Sequence, residues 1–144
     1  MKKNICIIGQ GYVGLPLALE FSKFFDVLGF DDNQTRINEL QNNIDINNEA
    51  HNNLWKKSKI KFSSREKDLK DRNVFIVTVP TPIKKNKLPD LQPLLKATKT
   101  ISRYLKEKDI VIYESTVYPG LTEELLAILE KKTKYTLNKD FFAG

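Results

Sequence analysis

The most constraining feature of the sequence is a cluster of glycines directly after an apolar run near the amino terminus. The run Asn4–Ile8 is continuously apolar after its first residue, which is typical of a strand buried on both faces. The segment 9–14 follows with the spacing G-x-G-x-x-G and opens a stretch with helical periodicity. A strand, this glycine spacing and a helix in that order predict a turn that binds a dinucleotide.

Each glycine of the segment has a distinct expected role. Gly9 allows the tight turn, and Gly14 lets the helix lie close to the strand. Gly11 has no side chain, so a pyrophosphate can approach the backbone at the helix N-terminus. There, backbone N–H groups and the helix dipole stabilise the diphosphate without a cationic side chain. The alternative is a glycine-rich turn that binds nothing, and the helical context favours the dinucleotide.

Short β-branched runs alternate with helical stripes along the chain, which predicts an α/β fold. We expect a Rossmann-type, doubly wound parallel sheet of strand order 3-2-1-4-5-6, with helices on both faces. The predicted strands are Asn4–Ile8, Val27–Phe30, Ile60–Phe62, Val74–Val79, Ile110–Tyr113 and Phe141–Ala143. The predicted helices are Tyr12–Phe25, Asn33–Gln41, a short one around Leu54 and Trp55, Leu94–Lys106, and a last one that Pro119 opens. The residues expected to face inward are Val13, Leu17, Phe21 and Phe24 in the first helix, and Leu121, Leu125 and Ile128 in the last.

Two neighbouring carboxylates follow the second predicted strand, at the edge where such sheets bind ligands. A carboxylate there accepts hydrogen bonds from both adenosine ribose hydroxyls and repels a 2′-phosphate, which favours NAD over NADP. Asp31 is preferred because it directly follows Phe30, but the adjacent Asp32 remains an alternative. Arg36 lies one turn into the next helix, where it either contacts the adenosine or its phosphate or is a solvated surface residue.

Length, composition and charge narrow the classes of protein to which the chain can belong. The 144 residues suffice for one compact domain, and no apolar run is long enough to span a bilayer. The single cysteine, Cys6, excludes an internal disulfide and a cysteine-based metal cluster, so we expect a cytoplasmic protein without a metal. The net charge of +6 raises nucleic acid as a partner. However, acidic residues separate the lysine groups, and no nucleic-acid-binding motif is present, so we expect neither nucleic acid nor membrane as a partner.

Three segments together carry a resemblance to a known family. Residues 9–18 (GQGYVGLPLA) resemble the opening of the UDP-glucose/GDP-mannose dehydrogenase family. Residues 79–82 (VPTP) and 115–120 (STVYPG) are similar to the family's V-P-T-P and S-T-V-x-P-G segments after strands four and five. The branch that the chain resembles most is that of the UDP-N-acetylhexosamine dehydrogenases of bacterial surface polysaccharide pathways, the Vi-antigen type. Gln10 replaces a frequent leucine, and its side chain is expected to point away from the phosphate.

The resemblance implies NAD as the cofactor and a set of residues that bind it. Tyr12 and Val13 would contact the diphosphate through backbone amides, and Thr81 would lie near the nicotinamide ribose. Thr116 would lie near the nicotinamide and help to position a catalytic water. For both threonines the alternative is a hydroxyl that caps a turn or a helix. The implied cofactor-binding residues are Gly9, Gly11, Tyr12, Val13, Gly14, Asp31, Arg36, Thr81 and Thr116.

The resemblance also implies what lies outside these residues. Enzymes of this family oxidise the C6 alcohol of a UDP-sugar to a carboxylate, using two NAD and a cysteine nucleophile in a later domain. Cys6 lies inside a predicted strand and does not match that cysteine. We therefore expect residues 1–144 to be the amino-terminal NAD-binding domain of a larger, homo-oligomeric enzyme, and to bind NAD without turnover. The alternatives are a 3-hydroxyacid-type Rossmann dehydrogenase and a non-catalytic dinucleotide-binding module.

Overall fold

Six parallel strands form one sheet, and helices lie between most of the consecutive strands along the chain. The structure is a computed structural model that describes residues 2–48, 58–115 and 118–144. The strands are β1 (Asn4–Ile8), β2 (Asp26–Phe30), β3 (Lys61–Ser63), β4 (Val74–Val77), β5 (Ile110–Tyr113) and β6 (Phe142–Ala143). The helices are α1 (Gly14–Phe21), α2 (Gln34–Gln41), α3 (Gln92–Ser102) and α4 (Leu121–Thr133), with a 3-10 turn at Glu66–Leu69. The sheet order β3-β2-β1-β4-β5-β6 confirms the predicted doubly wound topology.

The central strand β1 is buried on both faces of the sheet. Ile5 and Ile7 pack in one cluster with Ala18 of α1, whereas Cys6 and Ile8 pack with residues of α3 and α4 on the opposite face. Burial raises the pKa of the Cys6 thiol well above its usual range, so the sulfur stays protonated and serves as a small apolar core group. Because β1 is central, the loop that follows it emerges at the middle of the sheet's carboxyl end.

The predicted inward face of the first helix is wrong in part. The helix is shorter than predicted, so Val13 precedes it at 40% exposure and Phe24 lies in the turn beyond it at 75% exposure. Leu15 and Leu19 are buried instead, between α1 and α2. The stretch is apolar on several sides, and the position of α2 decided which side is buried. Leu17 packs against the sheet cluster as predicted.

Further bounds differ from the prediction, among them those of β3 and of α3, which begins at Gln92 and ends at Ser102. The last helix begins at Leu121, and Pro119 lies in the turn before it, because Gly120 adopts a left-handed conformation (φ 93°) at the helix start. Ile128 is only half-buried, since α4 turns Leu129 toward the core. Strand β4 ends at Val77, two residues early. The predicted short helix around residues 54 and 55 lies outside the described residues.

Candidate cofactor-binding site

In the glycine-rich loop after β1, one glycine has a backbone conformation that disfavours a side chain and another has no room for one. Gly9 extends the β1–β2 ladder, donating its N–H to the carbonyl of Phe30 at 2.8 Å, and then turns with φ +96°. A Cβ on Gly14 would overlap with the carbonyl oxygen of Gly9. Gly14 therefore brings α1 against the end of β1, in agreement with the close packing predicted for the third glycine.

Thr78, at the end of β4, is a functional residue that sequence reasoning missed. Its buried hydroxyl donates toward the carbonyl oxygens of Gly9 at 2.8 Å and Ile8 at 3.0 Å. Its backbone N–H also donates to Ile8, so β4 positions the hydroxyl beside the loop. A Cβ on Gly14 would overlap with this same hydroxyl. The only signal in the sequence is a hydroxyl within the otherwise apolar run 74–79.

The next part of the loop is open, in contrast to Gly9 and Gly14. A Cβ on Gly11 would meet nothing within 4 Å, and Tyr12 is 79% exposed. Within the described part of the chain, the N–H groups of Gly11, Tyr12 and Val13 donate to no protein acceptor. Helix α1 has no side-chain cap and no acidic residue in its first turn. These donors, together with the positive end of the helix dipole, fit an anionic group such as the diphosphate of a dinucleotide.

The two candidate carboxylates at the end of β2 point to different places. Asp31 accepts hydrogen bonds from the N–H groups of Gln10 at 2.8 Å and Asn33 at 2.9 Å, so its carboxylate lies against the loop. Asp32 is exposed and pairs with Lys96 of α3 at 2.5 Å, a hydrogen bond that raises the pKa of the Lys96 ammonium. Of the two residues that the sequence left open, Asp31 is the one beside the glycine-rich loop.

Arg36 is buried, so the alternative of a solvated surface residue is wrong. Its Nε donates to the carbonyl oxygen of Gln10 at 3.0 Å, and its Nη1 pairs with the carboxylate of Asp45 at 3.0 Å. Arg36 thus contacts the main chain of the glycine-rich loop, from the first turn of α2. The Gln10 side chain lies beneath the loop, where its Nε2 donates to Ile7 at 2.8 Å and a Cβ on Gly29 would lie 2.8 Å from its Oε1. It points away from the open N–H groups, as predicted.

The segments that follow β4 and β5 are joined by hydrogen bonds at the carboxyl end of the sheet. Ser115 donates its hydroxyl to the carbonyl of Val79 at 2.7 Å, and the N–H of Glu114 donates to Val77 at 2.9 Å. Thr81 follows β4 and is half-buried. Thr116 lies outside the described residues, so its predicted position remains a prediction.

Neither a metal site nor a membrane span is found in the described segments. No three His, Cys, Asp or Glu side chains within residues 2–48, 58–115 and 118–144 are grouped so that they could hold a metal ion. Among the same residues, no helix is long and apolar enough to cross a bilayer.

Comparison with known proteins decides among the dinucleotide-binding families. Residues 3–142 match the NAD binding domain of the UDP-glucose/GDP-mannose dehydrogenase family. The chain belongs to this family. The open loop, the carboxylate beside it and the sheet order are therefore those of an NAD-binding domain, and the resemblance that the three sequence motifs indicated is confirmed.

The relatives share the whole of this domain. The chain is 54% identical to the UDP-N-acetyl-D-glucosamine 6-dehydrogenase of Pseudomonas aeruginosa over 98% of its length, and 48% identical to Protein CapL of Staphylococcus aureus over 100%. The solved UDP-D-ManNAc dehydrogenase of Pyrococcus horikoshii superposes with a TM-score of 0.88, at 32% identity over 96% of the chain. In each case the chain covers 34% of the relative. It thus spans about a third of the length of the proteins that it matches.

Proposed function

We propose that this NAD-binding domain serves a nucleotide-sugar 6-dehydrogenase, an enzyme that oxidises the C6 alcohol of a UDP-sugar to a carboxylate for surface polysaccharide synthesis. One observation carries the proposal: the open N–H groups of residues 11–13 and the carboxylate of Asp31 lie beside each other in the same loop region. The relatives named as UDP-N-acetyl-D-glucosamine 6-dehydrogenases, at 54% and 50% identity, supply the substrate class.

In this proposal, different residues of the chain bind different parts of the cofactor. The N–H groups of Gly11, Tyr12 and Val13 hold the diphosphate, and Asp31 accepts hydrogen bonds from the adenosine ribose. Thr81 lies beside the nicotinamide ribose, and Thr116 positions a water near the nicotinamide. Bound NAD supplies the hydride acceptor for the oxidation.

The rest of the proposal concerns the complete enzyme. The nucleophile and the UDP-sugar pocket come from residues other than these 144, and the enzyme works as a homo-oligomer. A cytoplasmic location is part of the proposal, since the single cysteine, Cys6, is buried in the core and serves no disulfide. Nucleic acid and membranes have no role in this function.

The first test is a calorimetric titration of the chain with NAD and with NADP. We expect NAD to bind at least about tenfold more tightly, because the Asp31 carboxylate accepts from the ribose hydroxyls and repels a 2′-phosphate. Asp31→Asn should remove most of this preference. Asp32→Asn is the matched control, since it removes a neighbouring carboxylate that faces Lys96. Equal binding of both dinucleotides by the wild type, or loss of the preference in Asp32→Asn alone, would contradict the assignment.

A further inference from the structure

The backbone of Gln10 is held on both of its peptide groups by side chains of the β2–α2 segment. Its N–H donates to Asp31 at 2.8 Å, and its C=O accepts from the Nε of Arg36 at 3.0 Å. Gln10 directly precedes Gly11, the first residue whose N–H group is open. Because the Gln10 carbonyl and the Gly11 N–H belong to one planar peptide group, the bond from Arg36 to the carbonyl fixes the direction of the Gly11 N–H, where the row of open N–H groups begins.

Arg36 is itself held by a carboxylate that lies outside the loop. The chain leaves α2 through Asn43, which adopts a left-handed conformation (φ 56°), and the N–H of Ile44 donates back to Glu39 at 2.9 Å. This reversal places Asp45 against the guanidinium, at 3.0 Å, with 6% of its side chain exposed. Glu39 contributes a second, more distant carboxylate at 3.5 Å. A buried, charge-assisted bond of this kind fixes the planar guanidinium in one orientation.

We infer that Asp45 is a positioning residue for the cofactor. It holds Arg36, and Arg36 holds the Gln10 carbonyl, so that the N–H groups of residues 11–13 converge on the diphosphate. Asp45 does not touch NAD in this arrangement. The inference rests on the proposed NAD site and assigns to Arg36 a contact with the loop rather than one with the adenosine.

The negative charge of Asp45 by itself predicts the opposite effect on NAD affinity, so an experiment can tell the two effects apart. Asp45→Asn removes a negative charge near a site for an anionic diphosphate, and on electrostatic grounds this change strengthens binding. Loss of the charge from the positioning bond weakens binding instead, because a neutral amide oxygen holds the guanidinium less firmly than a carboxylate does. We expect the second effect to win, with about tenfold lower affinity for NAD, because the bond is buried and charged.

The experiment compares ligands that contain the diphosphate with one that lacks it. NAD and ADP-ribose are titrated calorimetrically into the wild type, Asp45→Asn and Arg36→Lys, and adenosine is titrated by chemical-shift changes. Positioning of the loop predicts weaker NAD and ADP-ribose binding with adenosine affinity unchanged. Arg36→Lys should lose a similar factor, since a single ammonium cannot satisfy Gln10 and Asp45 in the same geometry. It carries the same test if Asp45→Asn does not fold.

The matched control is Asp26→Asn, at the other end of β2. Asp26 also pairs with a buried arginine, Arg72, at 2.7 Å, but it lies at the amino end of the sheet. We expect this variant to be less stable and to bind NAD as the wild type does. Unchanged or tighter NAD binding in Asp45→Asn, or an equal loss for adenosine, would overturn the inference. If the wild type binds neither NAD nor NADP, that result would instead contradict the proposed function.

Discussion

At the carboxyl end of the sheet the loop after β1 leaves three successive N–H groups without an acceptor among the described residues, whereas at the amino end several polar groups bind one another. There, Asn73 accepts from the N–H of Asn4 at 2.9 Å and donates to Lys2 at 2.7 Å, and Arg72 pairs with Asp26. Both ends of the sheet are built from the same strands. Open backbone donors, rather than polarity as such, therefore distinguish the end at which we propose that NAD binds.

The two ends also use buried arginine in different ways. Arg72 donates to Asp26 at the start of β2, and this hydrogen bond lowers the pKa of the Asp26 carboxyl. Arg36 donates to a main-chain carbonyl of the glycine-rich loop and so transmits its position to the open donors. One arginine stabilises the fold, and the other also shapes the site. Substitutions that separate stability from binding test this contrast.

The largest effect is expected from Gly14→Ala. The added Cβ would overlap with the carbonyl oxygen of Gly9, a main-chain atom directly after β1, and with the hydroxyl of Thr78, whose rotation would break its hydrogen bonds to Ile8 and Gly9. We expect a loss of about 3 kcal/mol or more in the free energy of unfolding, measured by urea denaturation. Gly120→Ala is the control, because its Cβ meets no atom of the described residues within 4 Å and only backbone strain of about 1 kcal/mol is added. Equal stabilities of the two variants would show that the loop does not need the close contact.

A smaller and different effect is expected from Gly11→Ala. Its Cβ would stand in open space, so the free energy of unfolding should change by less than about 0.5 kcal/mol. The same methyl group would occupy the approach of the diphosphate, and NAD affinity should fall by at least about tenfold. Calorimetric titration together with urea denaturation of the same sample separates the two. Unchanged NAD affinity in a folded variant would remove Gly11 from the site.

Much of this contrast could be predicted from the sequence, because local patterns dictate it. The glycine spacing after an apolar strand predicted the loop, and Phe30 before Asp31 predicted which carboxylate lies beside it. The alternation of strands and helices predicted the sheet order. The first two signals are each contained within a few neighbouring residues, and the third is a succession of such local patterns along the chain.

The contacts that the sequence missed join residues that are distant along the chain. The hydroxyl of Thr78 meets Gly9 only because β4 pairs with β1, and Asp45 reaches Arg36 only because the chain reverses after α2. The burial of Leu15 was missed for a related reason. The burial of this side chain depends on where α2 packs, and the hydrophobic periodicity within α1 carries no information about that.

The smallest expected effect concerns Asp109, at the amino end. Burial raises the pKa of this carboxyl, although it accepts a hydrogen bond from the N–H of Lys106 at 2.8 Å. With a folded-state pKa above the unfolded value, its contribution to stability is fully present below the ordinary carboxyl pKa and is lost as the pH rises through the folded pKa. Asparagine keeps an acceptor and does not ionise, so Asp109→Asn should gain melting temperature relative to the wild type as the pH is raised from about 3 to 7. NAD affinity should not change, since this carboxylate closes the end of the sheet opposite to the open donors. A melting-temperature difference that is independent of pH, or a change in NAD affinity, would show that the two ends are not separable in this way.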